Sequence, residues 1–379
     1  MPIVRVVIVG GGVGGLACAQ RLAKRAAGLR ITLVDPKLRH DFAPSFLWLM
    51  TGQRTPERVS RSLSSLARAG VQLIEAEVTA VDPTAGRLSS TVGEIEYDQL
   101  VLAPGAALAP EAIPGLAQAA HGFYAREDAE RLRDALVAFG GGRVLVAVCA
   151  MPFKCPAAPY EAAFLVDDLL RRRGVTAQVD VVTAEPQPLP VAGEQIGAQV
   201  AAILAGRGIG FHPGCQLVSV DPDARTARFG DGDEPFDLLI AIAPHRAPGF
   251  VADCRLAGPQ GWIPVDAQTL QAADNVHAIG DVTAIRLPSG MMLPKAGVFA
   301  HAEGKVVAEN LAQTAAHKQP AARFDGHGAC FLETGGGRAG MASGDFYAAP
   351  LPAVRMRQPA RRWHWGKILF ERRWLARLR

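Results

Sequence analysis

The sequence predicts an α/β protein built from two Rossmann-like dinucleotide-binding units, followed by a C-terminal region suited to a membrane surface. A glycine-rich turn, Gly10–Gly15, lies between an apolar β-branched run and a helical pattern of small residues. A second strand–helix–strand pattern begins near Arg143. The two units also end alike, because Tyr97–Pro104 and Phe236–Pro244 each carry an aspartate, a buried strand pattern and a final Ala-Pro. Such repetition indicates an internal duplication.

The overall charge is small but unevenly placed. The chain of 379 residues carries +4, while Leu351–Arg379 holds nine Lys or Arg against one acid. That tail therefore carries +8 and the remainder −4, so we expect no nucleic-acid partner. The first residues form a strand pattern without a leader-like segment, and no stretch approaches the roughly 20 apolar residues of a membrane helix. These features predict a peripheral membrane protein on the cytoplasmic side.

The cysteines are scattered along the chain without CxxC or zinc-ligand spacing. There are six of them: Cys18, Cys149, Cys155, Cys215, Cys254 and Cys330. A set of this kind predicts neither a metal site nor a disulfide framework. Any functional pair must therefore be brought together by the fold.

The first unit carries a dinucleotide-binding fingerprint, with the GxGxxG pattern on Gly10, Gly12 and Gly15. The first glycine makes a tight turn, the second lets the backbone approach a pyrophosphate, and the third allows helix–strand packing. The phosphates are expected at the N-terminus of a helix over Val13–Ala27, where free N–H groups favour negative charge. Asp35 closes the next strand twenty residues after Gly15, a spacing suited to binding a ribose hydroxyl.

Two further segments favour FAD over NAD as the nucleotide. A strand pattern ends in Gly280 and Asp281 just before a new helical region. It resembles the second FAD motif of flavoproteins with two dinucleotide domains, in which the aspartate holds the ribitol chain. Ala103, Pro104 and Gly105 resemble the Ala-Thr-Gly turn of those proteins, with proline in place of threonine. The sequence therefore predicts one FAD site assembled from distant parts of the chain.

The second unit has lost the fingerprint. The stretch where it should read GxGxxG, Val148–Glu161, contains no glycine and three prolines. Because NAD(P)H needs a glycine turn to bring its pyrophosphate against the backbone, we expect no nicotinamide nucleotide as the reductant. Cys155 stands in this place at the start of a predicted helix. The helix N-terminus and the neighbouring Lys154 are expected to favour the thiolate form of Cys155.

The segment around Cys155 resembles a known family. Lys154–Glu161 is similar to the Cys-Pro-x-x-Pro-Tyr-Glu segment of sulfide:quinone oxidoreductases and of the flavin subunit of flavocytochrome c sulfide dehydrogenase. The likeness covers nearly the whole chain, including Asp35-Pro36, the Leu293–Gly297 stretch and a late cysteine, Cys330.

This resemblance implies a cofactor, a reaction and a set of site residues. In the family two cysteines flank the flavin and cycle through a disulfide. Matching motifs place them at Cys155 and Cys330, with Glu161 as a nearby acid/base and Lys295 near the flavin. The implied reaction is FAD-dependent oxidation of sulfide to polysulfide or sulfur, with a membrane quinone as acceptor. Non-covalent FAD is expected, because the segment matching the flavocytochrome tether, Arg39–Gly52, has no cysteine.

The last nineteen residues, Arg361–Arg379, predict a basic amphipathic helix and hold three of the five tryptophans. Five apolar residues fall largely on one helical face: Trp365, Ile368, Leu369, Leu375 and Leu378. Tryptophan at a boundary and arginines toward anionic headgroups are typical of a helix that lies in the membrane interface. A helix packed on the protein's own domain is the alternative.

These features divide the chain into three parts. An FAD-binding domain covers 1–110 and 268–318, a second Rossmann-like domain with a redox cysteine covers 111–267, and a C-terminal region with the second redox cysteine covers 319–379. Two alternative functions stay open at this point. One is a flavin subunit that passes electrons to a cytochrome, and the other is an FAD-binding sensor or scaffold without redox activity. A homo-oligomer is compatible with the sequence.

Overall fold

The computed structural model of the protein describes residues 3–25, 28–230 and 232–378. Its first sheet has six strands, of which all but the edge strand Gln271–Ala273 run parallel. In spatial order the strands are Gln271–Ala273, Val276–Ala278, Gln99–Leu102, Val4–Val9, Leu29–Asp35 and Gln72–Glu75. Distant parts of the chain therefore pair in one sheet, as the FAD motifs predict.

The second sheet has five strands, all parallel. In spatial order they are Ala120–His121, Leu238–Ile242, Gly142–Val148, Ala177–Thr183 and Gly210–Pro213. The central strand pairs on both sides and is almost entirely buried, which explains its continuous run of apolar residues.

Three antiparallel sheets of three strands each complete the framework. The C-terminal sheet consists of His327–Gly335, Arg338–Asp345 and Ala353–Ala360. The other two are Val78–Asp82, Arg87–Ser90 and Gly93–Glu96, and then Leu217–Asp221, Thr226–Phe229 and Gly232–Pro235. These two occupy equivalent places before the strands that end in Ala-Pro, which agrees with the duplication in the sequence.

Six helices are longer than ten residues: Val13–Ala23, Arg126–Ala138, Ala158–Arg172, Glu194–Gly206, Gly297–Ala315 and Arg361–Ala376. Shorter helices cover Phe46–Met50, Pro56–Val59, Ser64–Arg68, Leu116–Ala119 and Gly249–Ala252. The first helix ends at Ala23, earlier than the predicted Ala27, which lies outside the described residues. The predicted α/β class is confirmed. We call Ala158–Arg172 the cysteine helix and Arg361–Ala376 the C-terminal helix.

Two glycines let the first helix pack closely against the helix Gly297–Ala315. A Cβ at Gly304 would stand only 2.4 Å from the carbonyl oxygen of Gly14. A Cβ at Gly14 would stand 3.2 Å from the carbonyl oxygen of Ala300. This contact brings the segment after Asp281 against the glycine-rich turn, because the helix at residue 297 follows that segment.

The C-terminal helix differs from the prediction in how it uses its apolar side. Leu375 and Leu378, placed on the predicted membrane face, are buried in the core of the first unit together with Trp374. Trp365 and Leu369 are instead 63% and 47% exposed. The helix is therefore docked on the protein along one side and solvent-facing on another. Within the described ranges, no helix is both long and apolar enough to cross a bilayer.

We expect Trp374→Ala to destabilise the protein by about 3–5 kcal/mol, the usual cost of truncating a buried tryptophan. Trp374 is 4% exposed and packs beside Phe42 and Phe370. Trp365→Ala is the matched control and should change the free energy of unfolding by less than about 0.5 kcal/mol. Urea denaturation of the full-length variants measures both values. Equal losses would contradict the docked arrangement.

Candidate functional site

The glycine-rich turn has the geometry of a phosphate cradle. Gly10 has a φ of +100°, and a Cβ there would stand 2.3 Å from the carbonyl oxygen of Ala103. A Cβ at Gly15 would stand 2.0 Å from the carbonyl oxygen of Gly10. Gly12, the N-cap of the first helix, has open space around its Cβ position. The turn therefore presents an accessible backbone at a helix N-terminus, where a pyrophosphate is bound favourably.

Asp35 ends its strand beside this turn. Its Oδ2 accepts the N–H of Gly11 at 2.7 Å and its Oδ1 accepts the N–H of Lys37 at 2.9 Å. A carboxylate has about four acceptor positions, so Asp35 retains capacity for a hydroxyl group. On the other side of the cradle, Gly105 has a φ of +75° and open space at its Cβ position.

A histidine that the sequence analysis did not single out supports the turn. His40 Nδ1 donates to the carbonyl oxygen of Gly11 at 3.1 Å, and His40 Nε2 accepts the indole N–H of Trp374 at 2.8 Å. The partners fix this tautomer, since a carbonyl only accepts and an indole only donates. Burial lowers the pKa of His40, in agreement with a neutral ring. The C-terminal helix is thus connected to the glycine-rich turn.

Gly280 and Asp281 follow the strand Val276–Ala278 and face the same region. Gly280 has a φ of +75°, and its N–H donates to Glu303 Oε2 at 2.6 Å. Burial raises the pKa of Glu303 to about 7 and also raises the pKa of Asp281. No group in the described ranges donates a hydrogen bond to the Asp281 carboxylate. A buried carboxylate without a donor calls for a polar ligand, and the ribitol hydroxyls of FAD supply such donors.

Cys155 lies in the turn between the strand Gly142–Val148 and the cysteine helix. Its φ is +49°, and its N–H donates to the carbonyl oxygen of Lys295 at 2.6 Å. A positive φ at a residue other than glycine costs about 1–3 kcal/mol and persists only where other contacts impose it. The hydrogen bond to Lys295 is such a contact, and it fixes the cysteine turn to the segment that follows Asp281.

Cys330 comes from a different part of the fold, the strand His327–Gly335 of the C-terminal sheet. The structure brings it to Cys155, with the two thiols hydrogen-bonded to each other. Both cysteines line an apolar cavity of about 380 Å³, which Lys295 also lines. Three separate segments therefore meet at one cavity.

The structure reverses the sequence-based assignment of the thiolate. The hydrogen bond with Cys330, and then burial, raise the pKa of the Cys155 thiol well above its ordinary value. The same hydrogen bond lowers the pKa of Cys330. The expectation that Cys155 carries the thiolate is therefore wrong, because the partner sulfur outweighs the helix N-terminus and Lys154. The pair shares its protons, and Cys330 is the more acidic member.

Lys295 is buried rather than exposed. Its Nζ donates to the carbonyl oxygens of Asp281 at 2.6 Å and Thr283 at 3.1 Å, and lies 3.5 Å from the ring centroid of Trp262. Burial lowers the pKa of Lys295 to about 8. The ammonium is therefore held beside the carboxyl that faces the FAD cradle.

Glu161 is buried in the first turn of the cysteine helix. Its Oε1 accepts hydrogen bonds from Lys367 Nζ at 2.7 Å and from the backbone N–H of Glu333 at 2.8 Å. Burial raises the pKa of Glu161, while Lys367 opposes that shift. The sequence analysis did not identify Lys367. A lysine among the arginines of a basic tail carries no local signal that it faces inward.

A second group of polar atoms lies beside the Cys155 turn. Tyr124 Oη and His245 Nε2 are buried without a hydrogen-bond partner among the described residues. Their rings meet edge-on at 5.3 Å, and Lys154 Nζ lies 5.9 Å from the Tyr124 ring centroid. His245 Nδ1 lies 2.8 Å from the carbonyl oxygen of Ala243, and burial lowers the pKa of His245 to about 3. Buried polar atoms usually have partners, so this corner is suited to a polar group of a ligand.

A family model described as pyridine nucleotide-disulphide oxidoreductase matches residues 4–307, which include both parallel sheets. The chain belongs to this family. Within it, the chain is 27% identical over 364 residues to the mitochondrial sulfide:quinone oxidoreductase of Mus musculus, covering 91% of this chain and 79% of that protein. It is also 27% identical to the sulfide-quinone reductase of Aquifex aeolicus, covering 99% and 91% respectively.

A solved structure supports the same placement of the fold. The sulfide:quinone oxidoreductase from Aquifex aeolicus superposes with a TM-score of 0.89 at 24% sequence identity, covering 99% of this chain and 91% of that chain. The resemblance that the sequence predicts is confirmed. The alternative of a cytochrome-linked flavin subunit is not favoured, because these relatives are named as quinone-dependent enzymes.

We expect iodoacetamide to modify Cys330 of the reduced protein much faster than Cys18 and Cys149. Burial raises the pKa of Cys18 and of Cys149 to about 12, and each unit of pKa lowers the thiolate fraction about tenfold. Peptide mass spectrometry over a time course at mildly alkaline pH measures the rates. Labelling of Cys18 as fast as Cys330 would contradict the assigned acidity.

Proposed function

We propose that the protein is a sulfide:quinone oxidoreductase, an FAD-dependent enzyme that oxidises sulfide to polysulfide or sulfur and reduces a membrane quinone. The observation that carries the proposal is the pairing of Cys155 with Cys330 at one apolar cavity, at the place where a nicotinamide-binding turn is missing. The relatives named above share this activity in their names.

The cysteine pair supplies the sulfur chemistry. Hydrosulfide attacks the disulfide between Cys155 and Cys330, the old sulfur–sulfur bond breaks, and a persulfide forms on one cysteine while the other becomes a thiolate. The lowered pKa of Cys330 favours this cysteine as the thiolate. Transfer of the persulfide sulfur to a further hydrosulfide gives polysulfide. FAD, when bound, takes two electrons from the pair and delivers them to the quinone.

The remaining site residues hold the cofactor or move protons. Gly10, Gly12 and Gly15 would cradle the pyrophosphate, and Asp35 would bind the ribose. Ala103 and Gly105 would form the turn beside the flavin, and Gly280 and Asp281 would hold the ribitol. Lys295 would neutralise negative charge on the reduced flavin, and Glu161 would exchange protons with the cysteines. FAD is held without a covalent bond, since Arg39–Gly52 offers no cysteine.

The three-part division of the chain follows from these roles. The FAD-binding domain covers 1–110 and 268–318, and the second Rossmann-like domain covers 111–267. The C-terminal region, 319–379, contributes the second redox cysteine. This division places the cysteine pair where all three parts meet.

The proposal excludes NADH and NADPH as reductants, although the family takes its name from pyridine nucleotides. The turn around Cys155 has no glycine, and its backbone N–H is occupied by Lys295. A pyrophosphate therefore lacks the close backbone approach that a glycine turn provides.

We expect sulfide to bleach the visible flavin band of the anaerobic wild-type protein, while NADH leaves it unchanged. Cys155→Ser and Cys330→Ser should each abolish the bleaching and retain FAD, because neither residue belongs to the FAD cradle. Cys215→Ala is the control and should keep wild-type rates. Rapid-mixing absorbance measures all of these. Bleaching by NADH, or full activity in either serine variant, would overturn the corresponding part of the proposal.

The exposed side of the C-terminal helix supports a peripheral membrane association. Trp365, Leu369 and Phe370 are 63%, 47% and 44% exposed. Four arginines of the same helix are also exposed: Arg361, Arg362, Arg372 and Arg373. Each basic residue near an anionic membrane contributes about 1 kcal/mol of attraction, and the aromatic and apolar side chains enter the interface. A lipid quinone would meet the enzyme at this surface.

We expect the double variant Trp365→Ser, Leu369→Ser to lose binding to vesicles that contain an anionic phospholipid and to reduce long-chain quinone slowly. Sulfide should still bleach its flavin, because the docked side of the helix is intact. The matched control is Val137→Ser, Val218→Ser, which removes two exposed apolar side chains elsewhere. Vesicle co-sedimentation measures binding. Unchanged sedimentation of the helix variant would reject this membrane surface.

A further inference from the structure

A buried charge cluster joins the cysteine helix, the C-terminal sheet and the C-terminal helix. Glu161 is bonded to Lys367 and to the backbone of Glu333, as described above. The carboxylate of Glu333 lies 2.9 Å from His364 Nδ1. Glu161, Glu333 and Lys367 are 2%, 1% and 4% exposed. The side chain of His364 is 17% exposed, so it is the member of the cluster that reaches toward solvent.

The cluster lies next to the redox pair. Glu333 is three residues from Cys330 on the same strand. The carboxylate of Glu161 raises the pKa of both Cys155 and Cys330, and the ammonium of Lys367 lowers it. The charges at one end of the cluster therefore respond to the protonation of the sulfur atoms.

The surroundings add no other charge in contact with this set. The helix Phe46–Met50 contributes the Trp48 ring, whose centroid lies 5.1 Å from Lys367 Nζ and 5.9 Å from the His364 ring. One turn further along the C-terminal helix, Glu371 forms a separate ion pair with Arg54 at 2.8 Å. The acid–base behaviour of the cluster is thus set by its own members and the two cysteines.

Charge balance in this cluster requires a proton that can move. With Glu161 and Glu333 ionised and Lys367 charged, the buried set has a net charge of −1. Burial disfavours an unbalanced charge, so one further proton is held among the carboxylates, the histidine and the cysteine pair. Oxidation of hydrosulfide to the level of sulfur releases one proton with two electrons, HS⁻ → S + H⁺ + 2e⁻. That proton is released at an enclosed cysteine pair and needs an exit.

We propose that Glu333 and His364 form the proton route between the cysteine pair and solvent, with Glu161 and Lys367 at its inner end. This inference rests on the proposed sulfide oxidation and adds residues to it. Histidine suits the outer position because its charge changes near neutral pH. His364 contacts neither sulfur, so it is a positioning residue that acts through Glu333.

The test uses His364→Ala and Glu333→Gln in the full-length FAD-loaded protein. Glu333→Gln keeps the backbone N–H that bonds Glu161 and removes only the carboxylate. Both variants should slow the sulfide-driven bleaching of the flavin by about tenfold to a hundredfold, at the lower end of what positioned proton transfer contributes. Both should also lose an inflection near neutral pH in the rate profile. Added imidazole should restore His364→Ala toward the wild-type rate.

The matched control is His327→Ala, which removes a 62% exposed histidine from the same strand as Cys330. It should keep the wild-type rate and pH profile. Absence of bleaching in the wild type would defeat the proposed function itself. Bleaching in the wild type, with unchanged rates and pH profiles in both variants, would overturn the proton route alone. A slowed His364→Ala that imidazole does not restore, with an unchanged pH profile, would also overturn it.

Discussion

Lys367 places its ammonium 2.7 Å from a carboxylate oxygen of Glu161, in an interior where both side chains are almost fully removed from water. Removing one partner of such a buried pair usually costs about 3–5 kcal/mol, because the other charge is left uncompensated. The pair therefore makes the cysteine helix and the C-terminal helix depend on each other. Since Glu161 also accepts the backbone N–H of Glu333, the strand that carries Cys330 is held by the same interaction.

The sequence predicted the features that local backbone geometry determines. The glycine fingerprint is such a case, because a positive φ at Gly10 and the close packing of Gly15 leave a direct mark on residue type. The location of Cys155 at the start of a helix follows equally from neighbouring prolines. The resemblance to a family then predicted Cys330, which no spacing along the chain indicates.

Other site residues could not be predicted because their neighbours are distant in sequence. Lys367 and Glu161 are 206 positions apart, and Trp374 and His40 are 334 apart. Periodicity correctly indicated an amphipathic C-terminal helix, but it cannot tell a face that meets lipid from a face that meets protein. The thiolate was assigned to the wrong cysteine for a similar reason, since the decisive neighbour of Cys155 is the other sulfur.

The hydrogen-bond chain from Trp374 through His40 to Gly11 has a mechanical consequence. The same helix contacts the charge cluster near one end and the nucleotide cradle near the other, while its outer side is exposed. A rigid helix cannot tilt at one end without moving the other. Any rotation of this helix against a lipid surface therefore acts as a lever on both the backbone around the pyrophosphate site and the carboxylate beside the sulfur atoms.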